Sequence, residues 1–266
     1  MPAIICWMNQ HRRPFVLSTE ASIDLSDDEP LMRMMVRAGF DGVFVGIETP
    51  NEDSLAECSK LQNRNRDLVA CVQKIQSRGL EVRGGFIVGF DHDSPSVFQQ
   101  QIEFIQNSRI ITAMVGLLNA PRGSQLYQRI AQEGRLLTEV TGDNTDFSTN
   151  MEPKMGLEAL SRGYSEIISG IYSAKPYFER VRSYLREYRR QKDNKGRFHV
   201  RYVRLHSGYA WAFPKTLVVL GVKDQARWQY WKLLLWSLFR RPGLFPMAVT
   251  FSIYGYHFRR VFNSCL

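Results

Sequence analysis

The chain has 266 residues, enough for one large domain or for a domain with an appendage, and 44% of them are hydrophobic, as in a globular protein with a core. The four cysteines, Cys6, Cys58, Cys71 and Cys265, lie far apart in sequence. This excludes a zinc knuckle and a Cys-x-x-Cys redox pair, and it suits a reducing cytosol. The apolar patch at residues 1–10 is too short for a secretory signal, so we expect a cytoplasmic protein.

The net charge of +9 combines two unlike regions. From Lys175 onward the chain has 19 Lys and Arg residues against 4 Asp and Glu, whereas the residues before it have 16 against 22. Such a shift in charge marks a change of architecture. Together with the predicted strands and helices described below, this shift in charge divides the chain into regions 1–137, 138–192 and 193–266.

In chain order, residues 14–25 predict a strand that runs into a polar loop. Acidic residues and Pro30 then begin a helix that Gly39 ends, and the apolar run at 43–47 is typical of a strand buried on both faces. Residues 51–60 and 66–77 predict helices, with Gly79 ending the second.

The next predicted strand is 81–88. A helix at 94–107 follows, with Ser94 as the expected cap, and then a strand at 111–118 and a helix at 125–133. Strands that alternate with helices predict a mostly parallel α/β sheet. Further along, 142–146 reads as a polar loop, 157–190 as helices broken near Pro176, and 193–197 as a linker.

Two of the predicted strands end in the same way, with an apolar run, a glycine and then an acidic residue. Gly46 is followed by Glu48 at the end of the first, and Gly89 by Asp91 at the end of the second. The carboxyl ends of parallel strands are where α/β folds bind their ligands. The sequence therefore predicts a ligand site at this edge of the sheet.

These two segments resemble strands of the radical S-adenosylmethionine (radical SAM) enzymes of the cobalamin-associated type. The run VFVGIET, followed by PNEDSL and Lys60, resembles their fourth barrel strand. GGFIVGFDHD is similar to their fifth strand, and its Gly85, Ile87 and Gly89 match the family's G-x-I-x-G pattern.

Further segments extend the resemblance over residues 1–190 in the family's order. TEASIDL resembles the third strand, and LLNAPRGSQLY resembles the sixth strand and its P-G-T-x-L-Y turn, with Arg122 inserted and Ser124 in place of threonine. NMEPKM and GYSEIISGIYSAKPYFERV are similar to the C-terminal extension of one subgroup. The resemblance implies an α/β fold: a partial (β/α) barrel of about four parallel strands, then a helical extension and a basic, aromatic-rich C-terminal region.

The resemblance also implies a cofactor, S-adenosylmethionine. Glu48 would contact its ribose hydroxyls, since a carboxylate accepts two hydrogen bonds from a diol. Ile87 would form an apolar shelf for the adenine, and glycines without a Cβ would allow close approach. The predicted cofactor-binding residues are Glu48, Gly46, Gly85, Ile87, Gly89 and Asp91.

The family's radical chemistry also needs a 4Fe–4S cluster on three closely spaced cysteines, and its members carry cobalamin on an upstream domain. The sequence has no such cysteine loop, and the first two barrel strands have no counterpart in it. We therefore expect the C-terminal portion of a larger enzyme type, with no metal site and no assigned catalytic residue. Alone it would be inactive, and a separate chain would supply the N-terminal half of the barrel.

Simpler interpretations remain open at each of these positions. Glu48 and Asp91 are also explained as strand-end carboxylates that cap the next helix, and the glycines as positions of close packing between helix and sheet. The whole chain is also explained as an inactive gene remnant, or as a partner-binding or membrane-surface module that retains a barrel without activity.

The last seventy residues are basic and aromatic, with four of the five tryptophans of the chain. Residues 228–238 are strongly apolar, and 242–258 contain no Asp, Glu, Lys or Arg between two Arg-Arg doublets. Prolines and glycines disfavour a single spanning helix, so we expect an interfacial segment on an anionic membrane surface. Nucleic acid ranks lower because the apolar runs are too long for a solvated groove. The alternative is packing against the barrel or a second copy.

Overall fold

A computed structural model of the chain describes residues 1–138, 148–188 and 207–263, with the backbone alone for 207–212 and 263. The loop predicted at 142–146, the linker predicted at 193–197 and Cys265 lie outside the described residues.

Four parallel strands form one sheet in the order β1-β2-β3-β4. They are β1 (Leu17–Glu20), β2 (Phe40–Glu48), β3 (Glu81–Val88) and β4 (Ala113–Leu117). Helical connections join each strand to the next, so the predicted α/β fold with parallel strands is confirmed. Within the described residues β1 is an edge strand, and its exposed polar residues suit that place.

The helices follow the predicted order closely. They are α1 (Pro2–Gln10), α2 (Glu29–Ala38), α3 (Glu52–Glu57), α4 (Leu68–Ser77), α5 (Ser96–Ser108), α6 (Gln125–Gln132), α7 (Leu157–Tyr172), α8 (Ala174–Glu187), α9 (Ser207–Val218), α10 (Arg227–Arg240) and α11 (Phe245–Asn263). Asp28 caps α2 by accepting a hydrogen bond from the Leu31 amide at 2.8 Å. Gly39 ends α2 with a φ of +118°, a conformation that glycine adopts without strain.

Two local details differ from the prediction. The strand predicted to run into a polar loop within 14–25 is the short β1, but the residues after it do not stay in a loop: Ile23–Asp27 form a 3₁₀ segment that buries Ile23 and Leu25. Ser94 does not cap α5. The helix begins after Pro95, and the Ser94 hydroxyl hydrogen-bonds the Ser96 hydroxyl at 2.9 Å instead.

Among the described residues, helices cover one face of the sheet. Alternate residues of β2 and β3 point into this helical layer and are buried: Val43, Val45, Ile47, Val82, Phe86 and Val88. The Tyr172 hydroxyl of α7 donates to the Ala113 carbonyl at 2.7 Å, which fixes α7 against β4. Phe98 of α5 packs on Gly163 of α7, where a Cβ would lie 2.1 Å from the ring. Residues on the opposite face are partly exposed, and we call it the open face.

The C-terminal helices pack on the helical extension through aromatic side chains. The Tyr177 hydroxyl of α8 donates to the Phe251 carbonyl of α11 at 2.7 Å, and the Tyr177 ring lies against Gly255. Tyr172 contacts the ring of Phe258, with centroids 4.7 Å apart. Many of the aromatic side chains of residues 213–262 are therefore used for internal packing. None of the described helices is long and apolar enough to cross a membrane.

Candidate functional site

The open face of the sheet is lined by glycines and apolar side chains. Gly46 of β2 pairs with Gly85 of β3, and Ile87 pairs with Gly116 of β4. A Cβ on Gly116 would meet no atom within 4 Å, and Met114 beside it is 56% exposed. The side chains in this part of the open face are therefore short or apolar, which leaves room for a planar ligand to lie against the sheet.

Glu48 stands at the end of β2 in an unusual backbone conformation. Its φ is +66°, in the left-handed region that non-glycine residues seldom adopt, and the pairing with β3 is irregular between Gly46 and Glu48. Strain of this kind is concentrated at ligand sites. The side chain is 15% exposed, and its Oε1 lies 2.8 Å from Nζ of Lys60.

The ion pair of Glu48 and Lys60 lies directly above Gly46. A Cβ on Gly46 would be 2.5 Å from Oε1 of Glu48 and 3.0 Å from Nζ of Lys60. Glycine at this position therefore allows the carboxylate to fold back over the open face. No partner of Oε2 is found among the described residues.

Asn63 holds the backbone from which Glu48 projects. Its buried side-chain amide donates to the carbonyls of Gly46 at 3.1 Å and Ile47 at 3.0 Å. The sequence interpretation missed this residue, which lies just after Lys60 in a short 3₁₀ segment. The sequence signal that could have identified Asn63 was its position three residues after Lys60, which is part of the strand motif.

Asp91 has different surroundings, although it follows the same sequence pattern. Its carboxylate accepts two hydrogen bonds from Arg135, at 2.7 and 3.2 Å, and lies 3.0 Å from Arg129 and 3.6 Å from Lys154. The side chain is 0% exposed. Burial raises the pKa of Asp91, but the hydrogen bonds and charges of Arg135 and Arg129 outweigh it and hold the pKa below its ordinary value.

This charged cluster ties the end of β3 to elements that follow it in the chain. Arg129 also bonds Glu57 of α3 at 2.7 Å, and Glu57 lies 2.9 Å from Nδ1 of His92. The geometry of Asp91 thus favours the structural interpretation, in which it anchors α6 and the segment around Lys154.

Asp93, which sequence reasoning also missed, fixes the turn after β3. It accepts hydrogen bonds from the amides of Gly89 at 2.9 Å and Phe90 at 3.1 Å, and from the Ser54 hydroxyl at 2.7 Å. Burial raises the pKa of its carboxyl. Asp93 therefore links the turn after β3 to α3.

The six predicted site residues divide into two groups. Glu48, Gly46 and Ile87 lie together on the open face. Gly85 shares that face, but the Phe44 ring covers it, with a Cβ position 2.8 Å from the ring. Gly89 has a φ of +106°, and a Cβ on it would lie 3.2 Å from Leu160 of α7, so its geometry favours the packing interpretation.

The described residues contain no group of three or more His, Cys, Asp or Glu side chains placed to hold a metal ion. Cys6 is exposed, Cys58 and Cys71 are partly buried, and all three are free thiols. Within the part of the chain that the structure describes, the side chains therefore do not fit an iron–sulfur cluster.

Comparison with known proteins places the chain in a family. The model described as "Domain of unknown function (DUF4070)" matches residues 124–266, more than half of the chain. The chain belongs to the DUF4070 family. Its match begins at Ser124, so it takes in α6, the helical extension and the C-terminal helices.

Curated relatives of this DUF4070 protein are named as methyltransferases. An uncharacterized methyltransferase of Synechocystis sp. is 32% identical over 95% of this chain and 46% of its own length. The hopanoid C-2 methylase of Rhodopseudomonas palustris is 31% identical over 55% of this chain and 28% of its own length. The bacteriochlorophyllide d C-12(1)-methyltransferase of Chlorobaculum tepidum is 27% identical over 54% of this chain and 32% of its own length.

These matches confirm the recognition of the DUF4070 chain as a member of the cobalamin-associated radical SAM group. The chain spans about half the length of the first relative and about a third of the other two. The methyltransferase names agree with S-adenosylmethionine as the family's cofactor.

Proposed function

We propose that this chain forms the S-adenosylmethionine-holding side of a radical SAM methyltransferase, in which Glu48 binds the ribose hydroxyls and Ile87 supports the adenine. One observation carries the proposal: the Glu48 carboxylate lies over Gly46 on the open face of the sheet. The pairing of β2 with β3 puts Glu48 opposite Phe86, one residue before Ile87.

The residues around Glu48 suit a diol ligand. Lys60 bonds Oε1 and so fixes the direction of the carboxylate, while Oε2 has no partner in the described part of the chain. Two acceptor oxygens on a carboxylate match two adjacent hydroxyl donors. Gly46 and Gly116 keep side chains away from the space between Glu48 and the adenine shelf.

S-adenosylmethionine, when bound, supplies a transferable methyl group. The part of this chain is to bind and orient the nucleoside: Glu48 through charge-assisted hydrogen bonds, Ile87 through apolar contact with the ring. We place the ligands of a 4Fe–4S cluster outside the described residues. A 4Fe–4S spectrum from this chain alone, after anaerobic reconstitution with iron and sulfide, would contradict that placement.

Isothermal titration calorimetry tests the ribose contact. We expect the chain to bind S-adenosylmethionine, and adenosine as well, because adenosine keeps the ribose and the adenine. Hydrogen bonds to a charged group contribute about 1.5–3 kcal/mol. Glu48→Gln should therefore weaken binding of both ligands by about 10- to 150-fold.

Glu158→Gln is the matched control, because Glu158 on α7 is 92% exposed and, among the described residues, makes one long ion pair with Arg162. Its affinity for both ligands should equal that of the wild type. Absence of binding by the folded wild-type chain, or equal affinities of Glu48→Gln and wild type, would refute the proposal. Absence of binding would favour the inactive remnant.

A further inference from the structure

Helix α10 exposes an apolar stripe that the fold does not use. Trp228, Leu235 and Phe239 are 67%, 50% and 78% exposed, and Leu238 beside them is 47% exposed. Spacings of seven and four residues put the first three on one face of the helix. The opposite face already supplies the internal contacts, through Tyr230, Leu233, Leu234 and Ser237, which are buried. The outer stripe is therefore left uncovered by the described part of the chain.

A cleft lined by arginines opens beside the stripe. Among the described residues, Arg186, Trp236, Arg240 and Arg241 line a space of about 500 Å³. The Arg186 guanidinium lies over the Trp236 ring, 5.8 Å from its centroid, and Arg241 donates to the Tyr188 carbonyl, which orients it. Guanidinium groups gathered in this way recognise phosphate oxygens in bidentate fashion.

The charge of this surface defines the kind of occupant. Residues 227–263 contain six Lys and Arg and no Asp or Glu, and Lys232 lies within the stripe itself. A second copy of the chain would bring like charges together, which disfavours a symmetric pair through this face. Apolar side chains surrounded by cations suit a bilayer surface that carries anionic head groups.

We propose that α10 docks on an anionic phospholipid surface, with Trp228, Leu235 and Phe239 entering the interface. The cleft of Arg186, Arg240 and Arg241 then holds a lipid phosphate. Tryptophan prefers the depth of the head groups, and arginine stems lie along apolar surface while their guanidinium groups stay at the interface. The proposal does not depend on the S-adenosylmethionine site, which lies on the open face of the sheet.

Co-flotation with vesicles tests this docking. The chain should float with phosphatidylcholine vesicles that contain phosphatidylglycerol, and not with pure phosphatidylcholine. Binding should weaken as salt is added, because salt screens exposed charges beyond about 10 Å at 0.1 M.

Two pairs of substitutions separate a specific cleft from general charge attraction. Arg186→Gln with Arg240→Gln should lower the partition coefficient by about fivefold for each cation removed. Arg162→Gln with Lys175→Gln removes the same charge from exposed positions of α7 and α8 outside the cleft, and should have a clearly smaller effect. Equal losses in the two pairs would overturn the assignment of the cleft.

Leu235→Ser with Phe239→Ser tests the stripe, and circular dichroism should show an unchanged fold because both side chains are exposed. We expect this pair to abolish the binding that survives at high salt. Three results would overturn the proposal: no flotation under any condition, equal flotation with both vesicle types, or binding of inorganic phosphate by calorimetry without vesicle binding. A dimer broken by Phe239→Ser, without flotation, would identify a second copy as the occupant.

Discussion

The ends of β2 and β3 carry one sequence pattern and have opposite surroundings. Glu48 faces the open side of the sheet, has one cation near it and keeps one carboxylate oxygen without a partner in the described part of the chain. Asp91 is enclosed, and three cations approach its two oxygens. A glycine followed by an acid at a strand end therefore does not define a role, because the role depends on the direction that the chain takes afterwards.

Backbone geometry accounts for the difference in direction. At the end of β2 the positive φ lies at Glu48 itself, and this turns the side chain back over Gly46. At the end of β3 the positive φ lies at Gly89, and Asp93 holds the turn through two backbone amides. Asp91 then points toward α6. At this edge of the sheet, the end of β2 is left available for a ligand, and the end of β3 is closed by ion pairs.

The largest effect should come from removal of the enclosed carboxylate. Asp91→Ala leaves Arg129 and Arg135 without their shared partner, and breaking a buried ion pair costs about 3–5 kcal/mol. Urea unfolding should show this loss at pH 7. Because the pKa of Asp91 is lowered in the folded state, its stabilisation is present above the ordinary pKa and disappears as pH falls through the folded value.

Glu133→Ala is the control for Asp91→Ala. Glu133 bonds only Arg135 among the described residues and is 38% exposed, so its loss should cost less than about 1 kcal/mol. Affinity for S-adenosylmethionine should be unchanged in folded Asp91→Ala. A large loss of affinity in the Asp91→Ala variant would instead indicate that Asp91 contacts the ligand.

Glu81 is a third carboxylate for this comparison. It is buried, and little hydrogen bonding or opposite charge stabilises its ionised form. Glu81 at the start of β3 lies 3.7 Å from Arg83, and its Oε1 is buried without a hydrogen bond. Burial raises the pKa of Glu81 to about 7. The folded state then binds more protons than the unfolded state between pH 4.5 and 7, so this group lowers stability as pH rises through that window.

Glu81→Gln should remove this pH dependence. Above pH 7 the variant should be more stable than the wild type by up to about 3 kcal/mol, and near pH 4.5 the two should be similar. Thermal unfolding across this pH range measures the difference. Parallel curves for the two proteins would show that Glu81 is solvated and ordinary.

The sequence predicted the strands and helices well because the apolar runs and their glycine stops are local signals. The alignment of parallel strand ends predicted Glu48 and Asp91 at one edge of the sheet, and the family resemblance added Ile87 as a neighbour of Glu48. The sequence could not show that Arg129 and Arg135 enclose Asp91, since these contacts join residues far apart in the chain.

The same limit applies to Gly85 and to the C-terminal region. The Phe44 ring that covers Gly85 comes from a neighbouring strand, and no local pattern predicts that contact. In the basic, aromatic region, the sequence could not separate the rings that pack on α8 from those that α10 exposes. Only tertiary packing distinguishes Tyr230 from Trp228, two residues apart on one helix.

The smallest expected effect concerns the glycine beneath Glu48. Gly46→Ala places a methyl group 2.5 Å from Oε1 of Glu48 and 3.0 Å from Nζ of Lys60. Both atoms are at the ends of flexible side chains, so stability should change by less than about 0.5 kcal/mol. The displaced carboxylate should bind S-adenosylmethionine about tenfold more weakly, a loss of about 1.4 kcal/mol.

A double-mutant cycle shows whether Gly46 acts through Glu48. If its role is to let the carboxylate fold over the open face, Gly46→Ala should have no further effect in a Glu48→Gln background. Additive losses would instead mean that the methyl group collides with the ligand itself. Calorimetry on the four proteins separates these two outcomes. Non-additivity would make Glu48 the ligand-binding group of the open strand end, with Gly46 as its positioning residue.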